Sequence, residues 1–374
     1  MNRLNADAVS KAHAANFGFE PIGSVFAPGR VNLIGDHTDY NDGYVFPVAL
    51  EIGTFIAYSR NTSGRVRARS MNMEAQLERD VMAPAFGDWL DYVIGALQAL
   101  SVNTGVTLPS GLDLTIGSTV PTGASVSSSA ALQVATLRAA VEAFGLDISP
   151  ETLAQVAQNS ENNYVGVNCG LMDQMASSTG KPGWALFFDT MTLETTLEPL
   201  PTTHSFVTLH SGLSRQLTSG AYNERRTQCE TAAAQLGVPS LRTATLDQVD
   251  ALTGKTRARA RHVVTENARV LKARNALTAG DLDGFGALMT ESHWSLSRDF
   301  ETSTREVDAL VESCLSRNAQ GARITGAGFG GCIVALVKAG EEAALVDSLR
   351  LAHPTAWHVA TSTGLPDPTK DQRG

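Results

Sequence analysis

Three consecutive serines, Ser127, Ser128 and Ser129, stand at the head of an alanine-rich run in PTGASVSSSAALQVA, residues 121–135. Before them, GLDLTI over residues 111–116 alternates apolar and polar positions with the period of a half-buried strand. After them the apolar run reaches Phe144 and meets Gly145, where a helix C-cap is expected. The order is strand, Pro/Gly turn, serines, helix. A helix opening at Ser127 offers unpaired N–H groups and the positive end of its dipole. Three hydroxyls, and a glycine at 123 that admits close approach, make a phosphate with its metal a natural guest there. Serines ahead of a helix are also ordinary N-caps, a role that one serine fills. Neither G-x-x-x-x-G-K-[ST] nor G-x-G-x-x-G occurs in this turn, and a G-x-S-x-G elbow is absent.

A second stretch, RVNLIGDHTDYNDGY over residues 30–44, gathers Arg30, Asp36, His37, Asp39 and Asp42 between the apolar Val31, Leu33 and Ile34 and a strand expected over 45–50. Asn41, Asp42 and Gly43 are turn formers. Residues 35–39, directly after the apolar triplet, present several acceptors and a donor, which suits a polyhydroxylated ligand. Further on, Asp173 lies among apolar and small residues just after Gly170. It is either a charge at a helix N-terminus or a catalytic group in a partly dry site. Finally, TGAGFGG over 325–331 precedes a strand over 332–337, and either braces the phosphate loop or makes a tight turn.

The elements that must position these groups alternate in the first half and turn helical in the second. Strands are expected at 22–27, ending at Pro28 and Gly29, and at 53–59 and 65–71, with helices at 88–100 and 150–162. Residues 184–210 read as short strands with turns. Helices follow at 212–236, 257–277, 282–298, 304–316 and 341–351, then a strand at 357–360 and a loose tail from Ser362. Residues 1–20 form a polar lead-in. Arg225, Arg226, Lys255, Arg257, Arg259 and Arg261 read as solvated helix faces among glutamates.

Composition narrows the class. With 374 residues, 43% hydrophobic and 18% charged, the chain suits a globular enzyme of two domains or one large one. A net charge of −9 argues against a nucleic-acid partner. The four cysteines are widely spaced and form no C-x-x-C pair, as expected of thiols in a reducing compartment. The eight histidines are scattered, without H-E-x-x-H, so a histidine metal site is not expected. No signal peptide opens the chain and no apolar run approaches a membrane span, so a cytoplasmic protein without a membrane partner is expected.

Taken together and in this order, the stretches resemble the GHMP small-molecule kinases and, within them, the galactokinase family. RVNLIGDHTDYN over 30–41 is similar to the galactokinase signature, 123–131 to the phosphate-loop motif and 326–331 to the third motif. CGLMDQ over 169–174 and YNERR over 222–226 also match, and the matches run from 26 to 335. The resemblance implies an α/β (α+β) fold with an N-terminal domain over 1–200, a C-terminal domain over 201–374 and the active site in the cleft between them. It implies ATP-dependent, Mg²⁺-assisted phosphorylation of galactose at the anomeric hydroxyl, giving galactose 1-phosphate and ADP. In that pattern Asp173 is the catalytic base and Arg30 stabilises the transferring phosphoryl group. Gly123, Ala124, Ser125, Val126, Ser127, Ser128 and Ser129 hold the nucleotide, while Ser129 and Glu161 hold Mg²⁺. Asp36, His37, Thr38, Asp39, Gly170 and Tyr222 bind the sugar. The partners are then the sugar and ATP, for a monomer or weak homo-oligomer.

The chain departs from the family in three places. Asp36 stands where Glu is usual, Ser125 and Val126 precede the serines where the loop usually reads Gly-Leu-Ser-Ser-Ser, and Gln133 stands where Glu is common. The shorter Asp36 predicts a gap near the far hydroxyls of the sugar and looser discrimination among galactose variants. The alternatives are a GHMP kinase for another sugar (arabinose, an N-acetylhexosamine or a uronic acid) and a non-catalytic galactokinase-like sugar sensor. Against the sensor, Ser129, Ala130 and Ala131 are intact.

Overall fold

The computed structural model describes residues 4–108, 110–121, 123–213 and 218–365. Thr122 of the serine loop, residues 214–217 of the helix expected over 212–236, residues 1–3 of the lead-in and 366–374 of the tail lie outside the described residues. The strands are β1 (Gly23–Asn32), β2 (Tyr44–Val45), β3 (Pro47–Asn61), β4 (Arg65–Ser70), β5 (Ala75–Asp80) and β6 (Gly111–Ser118). Next come β7 (Trp184–Asp189), β8 (Thr195–Pro199), β9 (His204–His210), β10 (Gly321–Thr325), β11 (Cys332–Lys338) and β12 (Trp357–Thr363). The helices of the first half are α1 (Ala6–Phe17), α2 (Leu90–Thr104), α3 (Ser128–Phe144), α4 (Pro150–Ser160) and α5 (Met172–Thr179). Those of the second half are α6 (Thr218–Leu236), α7 (Leu246–Asp250), α8 (Gly254–Ala279), α9 (Leu282–Arg298), α10 (Arg305–Leu315) and α11 (Glu342–Ala352).

The chain folds into two compact units. The first takes Met1–Arg30, Glu51–Thr122 and Ser127–Thr179; the second takes Val31–Leu50, Gly123–Val126 and Gly180–Gly374. In the first, β3 pairs antiparallel with β6, β6 pairs parallel with β4, and β4 pairs antiparallel with β5. The parallel β4–β6 pair needs a crossover, which β5 and α2 provide. Leu112, Leu114 and Ile116 of β6 pack with Val93 and Leu97 of α2 and Val134 and Leu137 of α3 in one core. Gly145 ends α3 in the left-handed conformation expected of a C-cap glycine, with φ 64°.

In the second unit β10, β11, β9 and β12 form an antiparallel sheet. Val207, Leu209, Ile324 and Ile333 from this sheet pack against Leu296, Phe300, Val307 and Val311 from α9, α10 and the turn between them. Long helices cover it because their small and apolar residues recur at helical spacing.

Four expectations need correction. Strand β1 does not stop at Pro28 but continues to Asn32, so Arg30 lies on a strand. Among the described residues it pairs with β3 at one side of the sheet, and an edge strand tolerates a proline that lacks an N–H. The strands expected at 45–50 and 53–59 are mainly one long β3, and β5 was not foreseen, its alternation being weak. Arg259 does not lie on a solvated face: it is fully buried, donating to Gln228 Oε1 at 2.8 Å and paired with Glu301.

The buried histidines of the second unit set its acid sensitivity. His262 is buried between Ser295 Oγ (2.9 Å) and the Asp36 carbonyl (3.1 Å). Burial drives its pKa down to about 4 from an ordinary 6.5, against the pull of Glu266. The unfolded chain therefore binds the extra proton first, and stability complete above pH 6.5 drains away as pH falls toward 4. Glu266, held near 2 by Arg269, His262 and Arg323 against the effect of its burial, adds a further loss below about pH 4.5. The thermal midpoint, followed by circular dichroism, should decline between pH 6.5 and 4, and His262→Gln should flatten that decline; an unchanged slope would remove His262 from the effect.

Candidate active site

Within the first unit, three residues from separate elements meet. Arg30 on β1 donates from Nε to Asp173 Oδ1 at 2.7 Å, and its terminal nitrogen lies 2.6 Å from the same oxygen. Ser127 Oγ donates to the other oxygen, Oδ2, at 2.6 Å. The Arg30 side chain is only 5% exposed, whereas Asp173 keeps 29%, so the carboxylate retains a face toward solvent. Asp173 sits in the first turn of α5, where the helix dipole favours its charge. Of the two readings left open by the sequence, the helix-terminal charge is seen directly, and the catalytic reading belongs to the proposed function.

Ser127 precedes α3 with φ 63° and ψ 51°, and its side chain makes no capping hydrogen bond to the helix. The capping reading of this serine is thereby replaced, because the hydroxyl is spent on Asp173. Ser149, by contrast, accepts from the Thr152 N–H at 3.2 Å and caps α4 in the ordinary way. Gly123, Ser125 and Ser127 have φ of 75°, 64° and 63°, with Ala124 and Val126 between them outside that region. Alternation of left-handed with other residues is the backbone pattern of an anion-binding nest. It also explains how the departures at Ser125 and Val126 are accommodated, with serine taking a left-handed position.

Glu161 closes α4 and begins a five-residue π turn, Glu161–Val165, a distortion often found at functional positions. Its carboxyl is 6% exposed. It receives Gln174 Nε2 at 2.8 Å, a hydrogen bond from Ser129 and, in the amide orientation that its neighbours require, Gln133 at 3.2 Å. Burial and the nearby Asp173 push its pKa up to about 7, against Ser129, Gln174 and Arg30. A buried carboxyl beside a hydroxyl and a second carboxylate is an oxygen donor set that suits a hard cation such as Mg²⁺, which uses few protein ligands. Gln133 was singled out only as a departure; here it is a fully buried partner of Glu161. Gly170 is buried three residues before Asp173.

The second unit holds the other expected residues. His37 takes φ 64°, is 4% exposed and shares a 2.8 Å hydrogen bond between Nδ1 and the Tyr40 hydroxyl. Its ring centroid lies 4.6 Å from that of Phe300 and 5.6 Å from that of Tyr222. Tyr222 also meets Tyr40 edge-on at 5.6 Å, so that the four rings form an aromatic wall. Asp39 is half-buried at the start of a short 3₁₀ turn, Asp39–Asn41. Thr38 is fully buried and its hydroxyl lies 2.7 Å from the carbonyls of both Gly35 and Tyr44, tying the loop to itself.

Asp36 is 1% exposed: Oδ2 pairs with Arg323 at 2.6 Å and Oδ1 accepts from the Gly326 N–H at 3.0 Å. Arg323 and Glu266, both fully buried around this loop, were missed in the sequence. An arginine inside the apolar strand Ala322–Arg323–Ile324 was the available signal. The glycine-rich turn at 326–331 does brace the serine loop, since Cys332 Sγ donates to the Ala124 carbonyl at 2.8 Å.

The difference between Ser127 and Ser149 can be read in stability. Aspartate caps as well as serine, so Ser149→Asp should stay within about 0.5 kcal/mol of the parent in urea unfolding. Ser127→Asp sets a second carboxylate against Asp173 and should cost about 1–3 kcal/mol. Equal behaviour of the two variants would return Ser127 to a simple cap.

Family models described as the GHMP kinases N terminal domain, the galactokinase galactose-binding signature and the GHMP kinases C terminal match residues 91–181, 11–60 and 273–354. A galactokinase of Roseiflexus sp. (strain RS-1) is 43% identical over 370 residues, covering 96% of this chain and 93% of that protein. The structure of Lactococcus lactis galactokinase complexed with galactose superposes with a TM-score of 0.89 at 32% identity, over 96% of this chain and 98% of the other. The Methanococcus jannaschii mevalonate kinase shares the fold at a TM-score of 0.68 and 17% identity, over 91% and 98% of the two chains. With a signature match over residues 11–60 and such identity over nearly its whole length, the chain belongs to the galactokinase family of the GHMP kinases.

Proposed function

We propose that this chain transfers the γ-phosphoryl group of ATP to the anomeric hydroxyl of galactose, giving galactose 1-phosphate and ADP. The observation that carries the reading is the Arg30–Asp173–Ser127 cluster, a carboxylate tied to a guanidinium and to the first residues of the serine loop. Phosphoryl transfer asks a protein mainly for positioning and charge neutralisation. Asp173 orients the sugar hydroxyl and accepts its proton. Arg30, fixed by the same carboxylate, meets the negative charge that spreads over the transferring group. The N–H groups of 123–127 and the N-terminus of α3 cradle the nucleotide phosphates. His37, Asp39 and Tyr222 bind the sugar, with Gly170 lining its site.

Ser129 and Glu161 are the residues that would hold Mg²⁺. The ion, when bound, neutralises phosphate charge. Gln133 and Gln174 orient the Glu161 carboxyl for that task. In sequence the proposed division is an N-terminal domain over 1–200 and a C-terminal domain over 201–374, whereas the compact units interleave, the second also taking Val31–Leu50 and Gly123–Val126 and beginning its last stretch at Gly180. A monomer or weak homo-oligomer in the cytoplasm, without nucleic acid or membrane, fits the acidic composition; among the described residues no helix is long and apolar enough to cross a membrane.

A coupled ADP-release assay over a panel of free sugars should show galactose as the preferred acceptor; no turnover with galactose would overturn the reading. Asp173→Asn should lower kcat by roughly two decades or more while both substrates still bind. Ser129→Ala should raise the Mg²⁺ concentration needed for half-maximal rate, which a magnesium titration of both proteins would reveal. An Asp173→Asn enzyme of ordinary rate would exclude that carboxylate from the reaction.

A further inference from the structure

In the second unit, the segment leading into His37 and the strand leading into the glycine-rich turn are fastened side by side. Thr325 Oγ1 donates to the Asn32 carbonyl at 2.9 Å and accepts from the Asn32 N–H at 3.0 Å. Arg323, two residues earlier, donates to the same carbonyl at 3.1 Å and pairs with Asp36. Asp36 then reaches across to the Gly326 N–H, the first residue of the turn, which sits at φ 81°. The far end of that turn is fixed to the serine loop through Cys332 and Ala124. One buried carboxylate, that of Asp36, thus stands between His37 and the turn that braces the phosphate loop.

The surroundings leave this link little slack. Glu266 accepts from the Gly35 N–H at 2.9 Å, from Ser292 Oγ at 2.5 Å and from Arg269 at 2.8 Å, and lies 3.8 Å from Arg323. His262 holds the Asp36 carbonyl from the other side. Gly35 is therefore gripped at its N–H and Asp36 at both carbonyl and side chain, and displacement of Asp36 is passed on to Gly326. Removing one partner of such a buried pair leaves the other charge uncompensated, so the members hold one another in place.

We propose that Asp36 is a positioning residue that couples the two substrates. A sugar seated on the 37–39 loop fixes Asp36, Asp36 fixes Gly326, and the turn from Gly326 to Cys332 fixes the backbone of the phosphate loop. Galactose then tightens the binding of ATP, and by linkage ATP tightens galactose by the same factor. The inference rests on the proposed function, and it gives Asp36 a task besides the sugar contact expected from the sequence.

The test measures galactose binding to the full chain by isothermal titration calorimetry, with and without Mg²⁺ and a non-hydrolysable ATP analogue. In the parent protein the analogue should lower the galactose Kd several-fold. Asp36→Asn keeps an acceptor for Gly326 and removes the charge that holds Arg323; the ratio of the two Kd values should fall toward one. Thr325→Val severs the neighbouring link without touching a charge, and should reduce the ratio too, which decides the matter if Asp36→Asn does not fold. Weaker galactose binding with an unchanged ratio in Asp36→Asn would make Asp36 a sugar ligand and overturn the coupling, as would a parent ratio of one. A parent chain that binds no galactose would sink the functional reading along with it.

Discussion

The structure around the candidate site of the first unit depends on one carboxylate, Asp173, being met from two sides. Arg30 and Ser127 reach its two oxygens from a strand and from a helix start that lie 143 and 46 residues away in the chain. Holding both at 2.6–2.7 Å requires β1, α3 and α5 to keep a fixed register. Arg138, on α3, supplies much of that register. Its guanidinium donates to the Phe26 carbonyl on β1 and to the Ser178 carbonyl near the end of α5, the latter at 2.9 Å. Ser177 Oγ adds a bond to the Pro28 carbonyl at 2.7 Å. The last carbonyls of a helix have no partners of their own, so an arginine placed there satisfies them and clamps three elements together.

The serine loop illustrates how side-chain chemistry and backbone conformation support each other. Left-handed serines are unfavourable in isolation, and such conformations persist where the surroundings over-determine them. At Ser127 the determinant is the hydrogen bond to Asp173; at its other side Ala124 is held by Cys332. The same alternation is the backbone pattern of an anion nest, which makes this loop the candidate phosphate cradle.

The second unit manages buried charge differently. Arg323, Glu266 and Asp36 lie at 0–1% exposure, and nearly every charge among them meets an opposite charge or a backbone group. Burial raises the energy of each ion alone, so the cluster survives only as a set. The aromatic wall of His37, Tyr40, Tyr222 and Phe300 rests on it, because His37 follows Asp36 directly and takes a left-handed φ that fixes its direction.

The amino-acid sequence alone determined the local features: the strand–turn–helix of 111–145, the helix at 282–298 to the residue, the turn at 41–43 and the family motifs. These are legible because periodicity, glycine caps and motif spacing act over a few residues. Arg30, Asp36, His37, Asp173 and the serines were likewise marked by type and spacing. Only the tertiary structure decided what each does with its polar atoms. Ser127 binds a carboxylate instead of capping its helix, Asp36 is turned into a buried pair, Arg259 is buried instead of solvated, and Gln133 supports Glu161. The reason is that desolvation and hydrogen-bond partnership depend on residues tens to hundreds of positions away, and a single sequence carries no record of which distant groups will meet.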